Sequence, residues 1–171
     1  VVVDEDNLVT GNGDSAPGDD AEANKTGTLS HSFGADGAGA IALLATGAPA
    51  GYTYALSNGG TILTVHQTST NTDVLRITIN STTGAYTVEL LNPLDHPISG
   101  TEDNLPFTIN YSVTDGDGDS VNGSLSISVD DDLPIGTQDP TPIVMHVDED
   151  ELSTASGDLS TGITDGDADD D

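Results

Sequence analysis

The same acidic octapeptide stands near both ends of the chain. Residues 3–10 (VDEDNLVT) recur at 147–154 (VDEDELST), and six of the eight positions are identical. The step from position 3 to position 147 is an offset of 144 residues, so the 171 residues hold one full repeat and the start of a second. Self-similarity at a fixed offset predicts a tandem array of equivalent domains. Because the recurring segment is rich in carboxylates, we expect function where neighbouring repeats join.

The charge of the chain is extreme and unevenly distributed. There are 30 acidic residues against 2 basic ones, for a net charge of −28. Both bases, Lys25 and Arg76, lie within 23–114 together with only six of the acids, so most of the negative charge lies outside this middle part. Nucleic acids and anionic membrane surfaces bind basic patches, so this composition excludes both as partners. Blocks of like charge stay loose unless something neutralises them.

The absence of cysteine excludes disulfides as the source of stability. Small secreted domains often depend on disulfides, and calcium is the obvious alternative for an acidic chain outside the cell. A unit of about 140 residues is long enough to bury a sizeable core. No run approaches the roughly 20 apolar residues of a membrane helix, so direct membrane insertion is not expected.

Apolar residues recur with a period of two, which predicts strands with one buried face. The alternation is clearest in 75–79, 86–90, 107–113 and 125–129. Further strands are predicted at 28–33, 41–45, 52–56, 61–67 and 143–147.

Turn signals separate these strands. Segments 57–60 (SNGG) and 81–84 (STTG) predict hairpin turns, because Asn and Gly supply positive φ angles. Only 39–48 suggests a helix, and its glycine content disfavours one. Seven to nine short strands with frequent turns predict an all-β fold, an antiparallel β-sandwich. We expect a full sandwich repeat at 1–134, a stiff Pro- and Gly-containing linker at 135–142, and the start of the next repeat at 143–171.

One candidate metal loop follows the strand that ends at Thr114. Asp115, Asp117 and Asp119 alternate with glycines, so their carboxylates can turn toward one centre together with main-chain carbonyls. Six to eight hard oxygens suit Ca²⁺ better than Mg²⁺, whereas zinc and iron favour nitrogen and sulfur. The loop lacks the Gly and Glu that complete an EF-hand. A solvated turn is the alternative, since Asp and Gly favour turns.

Three further groups of acids mark the ends of the repeat. Two unit charges 4 Å apart repel by about 4 kcal/mol at an effective dielectric constant of 20, so such groups either point apart into water or share divalent ions. The short linker favours shared ions. The candidate ligands are Asp4, Glu5 and Asp6, then Asp130, Asp131 and Asp132, and then Asp148, Glu149 and Asp150.

Several other polar residues are less informative. Asp95 is either a ligand at the same end of the sandwich or a turn cap. His96 is predicted to serve as a hydrogen bonder in its turn rather than as a ligand, and the loop 102–104 to have a hydrogen-bonding role. Arg76 is predicted to form a surface ion pair. No enzyme is expected, because the chain has no Gly-x-Ser-x-Gly motif, and it has no Trp to line a glycosidase cleft.

Three stretches of the chain resemble a known family. Residues 84–97 (GAYTVELLNPLDHP), 107–119 (FTINYSVTDGDGD) and 124–134 (SLSISVDDDLP) are similar to the tandem repeat of giant type I-secreted RTX bacterial adhesins. A more distant similarity is to cadherin repeats, which carry Arg-Glu where this chain has His96 and Pro97. The resemblance implies an Ig-like or cadherin-like sandwich with a calcium-bound linker between repeats.

The resemblance also implies a ligand set and a role. By analogy with cadherins, Asp95, Asp115, Asp117 and 130–132 share ions with Asp148 and Glu149 of the next repeat. Asp4 and Glu5 then face a preceding repeat in the same way. The implied function is a monomeric, calcium-dependent extender that contacts adjacent repeats of its own chain and projects an adhesive module from the bacterial surface. Type I export implies folding outside the cell. A calcium-dependent glycan- or protein-binding module of the adhesin is the alternative.

Overall fold

Stretches of alternating apolar and polar residues form the strands of this domain. The fold comes from a computed structural model that describes residues 1–12, 21–98 and 100–134. The predicted linker at 135–142, the strand at 143–147 and the second repeat at 143–171 lie outside the described residues. Within them, three short 3-10 helices lie at Glu5–Asn7, Gly34–Asp36 and Asn58–Gly60. The strands are β1 (Val2–Asp4), β2 (Thr26–Thr28), β3 (Ala38–Leu43), β4 (Tyr52–Ser57), β5 (Ile62–Gln67), β6 (Thr72–Ile79), β7 (Ala85–Leu90), β8 (Asn104–Asp115) and β9 (Ser120–Asp130).

The strands form two sheets that pack face to face. One sheet has four strands in the order β1-β9-β8-β3, and the other has five in the order β2-β7-β6-β5-β4. Tyr52 of β4 and Phe107 of β8 meet between the sheets, with ring centroids 5.1 Å apart and an edge-to-face angle of 83°. The predicted all-β sandwich is therefore confirmed.

The first strand is the exception to antiparallel pairing in the described sheets. β1 runs parallel to β9, with Val3 opposite Val129 and Asp4 opposite Asp130, and the other paired strands are antiparallel. Parallel pairing means that β1 and β9 end at the same edge of the domain. The residues that follow β1 consequently lie beside the residues that follow β9.

The predicted alternation in β8 and β9 builds the core. In β8, Phe107, Ile109, Tyr111 and Val113 are buried, whereas the intervening Thr108 is exposed. The matching buried residues of the opposite sheet include Leu63, Val65, Ile77 and Val88. Removing this much apolar surface from water is the main source of stability in such a sandwich.

A glycine makes room for a tyrosine between β8 and β9. Tyr111 lies directly opposite Gly123, and its ring covers the glycine so closely that an added Cβ would sit 2.4 Å from the Tyr111 Cζ atom. The Tyr111 hydroxyl donates a hydrogen bond to the Ser30 carbonyl at 2.7 Å. The glycine therefore lets a buried ring reach a backbone acceptor in the adjacent loop.

Two predicted elements differ in their extent. The strand predicted at 28–33 is shorter and starts earlier, as β2 at Thr26–Thr28. The Leu29 N–H still bonds the Gly84 carbonyl at 2.9 Å, and the chain turns at Gly34, where φ is +70°. The weak helical signal at 39–48 was misleading, since β3 covers most of its first half. The hairpin turns at 57–60 and 81–84 are confirmed, with positive φ at Asn58, Gly59 and Gly84. In the described part of the chain, no helix is long and apolar enough to cross a bilayer.

Candidate metal centres

Two groups of ionisable side chains lie at opposite ends of the β8–β9 hairpin. The exit-end cluster consists of Glu5, His96, Asp103 and Asp131, at the edge where β9 ends. The hairpin-end cluster consists of Asp36, Asp115 and Asp117, at the turn that joins β8 to β9. Since β8 has 12 residues and strands rise about 3.4 Å per residue, the clusters are separated by roughly 40 Å.

The first turn of the chain directs Glu5 into the exit-end cluster. Asp4 ends β1, and its Oδ1 atom accepts the Asp6 N–H at 2.8 Å, which caps the short 3-10 helix Glu5–Asn7. The helix turns the Glu5 side chain inward, where only 4% of the residue is exposed. There Glu5 Oε1 accepts the Leu94 N–H at 2.7 Å. One backbone donor stabilises this buried carboxylate but does not neutralise its charge.

His96 lies at the centre of the exit-end cluster. Its Nε2 atom is 3.4 Å from Glu5 Oε1 and 4.0 Å from Asp131 Oδ1, and its Nδ1 atom is 3.9 Å from Asp103 Oδ1. The side chain is only 3% exposed, and neither ring nitrogen has a hydrogen-bond partner among the described residues. Burial lowers the pKa of His96, but the contact with Glu5 and the charges of Asp131, Glu5 and Asp103 outweigh it and raise the pKa overall.

Among the described residues, the carboxylates of the exit end have no lysine or arginine partner. Both basic residues of the chain are engaged elsewhere, Lys25 by Glu22 and Arg76 by Glu89 at 3.1 Å. The second pair confirms the predicted surface ion pair of Arg76.

The pKa of Asp131 lies above its ordinary value in this environment. Burial raises the pKa of its carboxyl, the neighbouring charges of Glu5 and Asp103 raise it further, and His96 opposes the shift. A buried charge without a partner is costly, so one imidazole facing three carboxylates leaves negative charge that a cation can neutralise.

The geometry of the exit end suits a single ion. One ligand atom from each of Glu5, His96 and Asp131 lies within 4.8 Å of the others. Metal–ligand distances of about 2.0–2.6 Å place ligands on one ion at such separations. The cluster is largely shielded from water, which strengthens its electrostatic interactions.

The hairpin-end cluster is more exposed. The Gly116 N–H bonds the Gly37 carbonyl at 3.1 Å, which holds the Asp36 loop against the Asp115 loop. Asp115 Oδ1 accepts the N–H groups of Gly118 and Asp119 at 3.1 and 2.9 Å. The pKa of Asp115 lies below its ordinary value, chiefly because of a side-chain hydrogen bond with Asp117 and also because of these backbone donors. An all-oxygen group of this kind suits a hard cation.

The predicted ligands within the described residues fall into three sets. Glu5, Asp131, Asp115 and Asp117 belong to the two clusters. Asp4, Asp6, Asp130 and Asp132 lie beside the exit-end cluster, and Asp132 Oδ2 accepts the Asn12 N–H at 3.1 Å. Asp95 and Asp119 belong to neither cluster.

Asp95 and Asp119 have other contacts. The Asp95 carboxylate accepts the Ser69 hydroxyl at 2.5 Å, and its backbone N–H donates to Gln67. Asp119 closes its loop through its backbone, since its carbonyl accepts the Asp115 N–H at 3.0 Å. Asp148, Glu149 and Asp150 lie outside the described residues.

The sequence did not identify three members of the clusters. Asp36 is distant from Asp115 in the chain, and only its two flanking glycines signalled a loop. The prediction that His96 hydrogen-bonds within its turn was wrong, because its ring points into the acidic cluster. Asp103 was assigned a loop role, although it lies 3.9 Å from His96. Glu5, which the resemblance directed toward a preceding repeat, contacts residues of its own sandwich because β1 is parallel to β9.

Fold and site together define a class: an all-β sandwich domain with an acidic candidate cation centre at each end of its longest hairpin. The comparison with family models gives the particular family. Residues 1–128 match the family described as "Domain of unknown function (DUF5801)", and the chain belongs to that family. No curated protein and no solved structure matches the chain.

Proposed function

We propose that this domain is a calcium-dependent extender repeat of a large bacterial surface adhesin of the type I-secreted RTX class. In this role the repeat spaces an adhesive module from the cell surface during cell adhesion and biofilm formation. The observation that carries the proposal is the exit-end cluster, where buried and half-buried carboxylates face one imidazole and, among the described residues, no lysine or arginine. Divalent cations supply the missing positive charge.

Calcium is the cation that best fits the whole pattern of ligands. Carboxylates dominate both ends of the described domain, and Ca²⁺ takes six to eight oxygens in flexible geometry. Calcium sites of extracellular modules bind with dissociation constants of roughly 10⁻⁴–10⁻³ M. Such sites are empty at the low calcium concentration of the cytosol and filled outside the cell. The chain is therefore exported unfolded, and it folds when it binds calcium outside the cell.

The extender role follows from the position of the two clusters. The chain leaves the sandwich through 130–132, beside the exit-end cluster, and the octapeptide of the next repeat begins 15 residues further on, at position 147. An ion bound at this point restrains the start of the linker. The hairpin-end cluster, roughly 40 Å away along β8, offers carboxylates at the other end of the repeat. A string of such units therefore stiffens when its ends bind calcium.

The test is a calcium titration of a tandem two-repeat protein, followed by calorimetry and small-angle scattering. At ~10 mM calcium each site adds about 1.4–2.7 kcal/mol to the free energy of unfolding. Two sites per repeat then raise the melting temperature by roughly 10 °C or more. The maximum dimension should also increase. Equimolar magnesium is the control, and it should do less because it keeps its waters. A melting curve and a dimension that are the same in calcium and in chelator would refute the proposal.

A further inference from the structure

The exit-end cluster contains a nitrogen ligand that a calcium site does not need. The side chain of His96 is 3% exposed, and both ring nitrogens are buried without a hydrogen-bond partner among the described residues. A buried imidazole normally donates one N–H and accepts at the other nitrogen. Here both nitrogens face carboxylate oxygens at 3.4 to 4.0 Å, which is longer than a hydrogen bond.

These separations match the distances between ligands on one small ion. Zinc binds imidazole nitrogen at about 2.0–2.1 Å and carboxylate oxygen at about 2.0–2.2 Å, so tetrahedral neighbours lie roughly 3.4 Å apart. His96 Nε2 is 3.4 Å from Glu5 Oε1 and 4.0 Å from Asp131 Oδ1. Three protein ligands leave a fourth position for water.

The second ring nitrogen of His96, Nδ1, lies near a carboxylate, which is the usual neighbour of a metal-bound histidine. Asp103 Oδ1 lies 3.9 Å from His96 Nδ1, on the side away from Glu5. A carboxylate at this position accepts the second ring N–H, fixes the tautomer and orients the ring toward the metal. A small approach of Asp103 completes this contact.

We propose that Glu5, His96 and Asp131 form a binding site for a zinc-class divalent ion, which they select over calcium, with Asp103 as the residue that positions the imidazole. Imidazole is a ligand of borderline metals such as zinc and is rarely chosen by calcium, which prefers hard oxygens. The all-oxygen hairpin-end cluster remains for calcium. The proposal does not require the extender function, but it concerns the same exit-end cluster: calcium then occupies this cluster only where zinc-class ions are absent.

The test is a titration of the 171-residue chain with Zn²⁺, and with Co²⁺ as a spectroscopic substitute, in buffer that contains excess calcium. We expect one ion per chain at this site and a visible Co²⁺ spectrum typical of nitrogen and oxygen ligands. His96→Gln should weaken this binding at least tenfold, and Asp103→Asn by about tenfold through the lost orientation of the ring. Circular dichroism establishes that both variants are folded.

The matched control is His66→Gln. His66 Nδ1 also contacts a carboxylate, Asp73 Oδ1 at 2.9 Å, but on the exposed outer face of β5 and β6. This variant should bind Zn²⁺ as the unaltered chain does. Equal zinc affinity in the His96→Gln and His66→Gln variants would overturn the proposal, as would displacement of zinc by equimolar calcium.

A separate measurement distinguishes this proposal from the extender function. The melting temperature of the His96→Gln variant is recorded with calcium and with chelator. A retained calcium effect together with lost zinc binding supports both proposals. A missing calcium effect in the unaltered chain refutes the extender function alone.

Discussion

Replacing Asp131 with Asn should change the stability of the domain in opposite directions with and without metal. The substitution removes a charge while it keeps the shape of the side chain and an acceptor for the Asp132 N–H, which now bonds Asp131 Oδ1 at 3.1 Å. Without cations, Asp131 is repelled by Glu5 and Asp103 and attracted by His96 at 4.0 Å. At an effective dielectric constant of 20 a pair of charges 4 Å apart is worth about 4 kcal/mol, so the attraction by His96 offsets part of the two repulsions and leaves a net repulsion.

The expected magnitudes follow from this balance. Side-chain movement and partial exposure reduce the remaining repulsion, so Asp131→Asn should stabilise the metal-free protein by about 1–2 kcal/mol. In calcium free of zinc, the cation that occupies the exit end loses a charged ligand in the variant, and a tenfold weaker site costs about 1.4 kcal/mol. Each effect corresponds to a shift of several degrees in melting temperature for a domain of this size. The sign of the shift should therefore reverse between the two buffers.

Differential scanning calorimetry measures both shifts, once in chelator and once in ~10 mM calcium. This calcium concentration is far above the dissociation constants of roughly 10⁻⁴–10⁻³ M expected for such sites. Asp73→Asn is the matched control, because Asp73 is 58% exposed and pairs with His66 away from both clusters. It should have a small effect of the same sign in both buffers. If Asp131→Asn destabilises the protein equally in chelator and calcium, the carboxylates are not held together by a cation, and the reasoning fails.

Two other substitutions test the hairpin end and the core. Asp36→Asn should weaken calcium binding at the hairpin end about tenfold, as measured by calorimetric titration. The control Asp119→Asn should change this binding little, because Asp119 closes its loop through backbone groups. Equal effects of the two substitutions would contradict the assignment of Asp36 to the site. Gly123→Ala places a Cβ 2.4 Å from Tyr111 Cζ, so it should lower the free energy of unfolding by about 2–4 kcal/mol through overpacking and a strained tyrosine hydrogen bond. Urea denaturation measures this loss, which should largely disappear when Tyr111 is first replaced by Ala.

Period-two alternation predicted the central strands because it reflects burial on one face. The alternation in 107–113 corresponds to the inward face of β8, and the segment 75–79 to that of β6. The first strand was not predicted, since β1 has only three residues and is defined by its parallel pairing with β9, which lies at the other end of the domain's sequence. Short-range patterns do not contain that information.

The candidate sites were predictable only where the ligands are neighbours in sequence. Asp115 and Asp117 stand two residues apart in one loop, and both belong to the hairpin-end cluster. Asp36 joins them through pairing between loops, which no local pattern records. His96 was underestimated for a different reason: its environment is set by Glu5, Asp103 and Asp131, which come from three separate parts of the chain.

The division between a neutral core and charged ends determines what a cation can do for this domain. The buried apolar residues lie between the sheets and include Ile41, Leu63 and Phe107, none of which depends on a metal for its packing. The carboxylates lie where strands end, so their mutual repulsion destabilises the ends of the sandwich rather than its core. A cation therefore acts mainly on the ends of the domain, where β1 and β9 terminate together, and rigidity at those ends is the property that a spacer requires. We therefore expect the two sheets to form without metal and a cation to stabilise mainly the exit end, where ligand atoms of Glu5, His96 and Asp131 lie within 4.8 Å of one another.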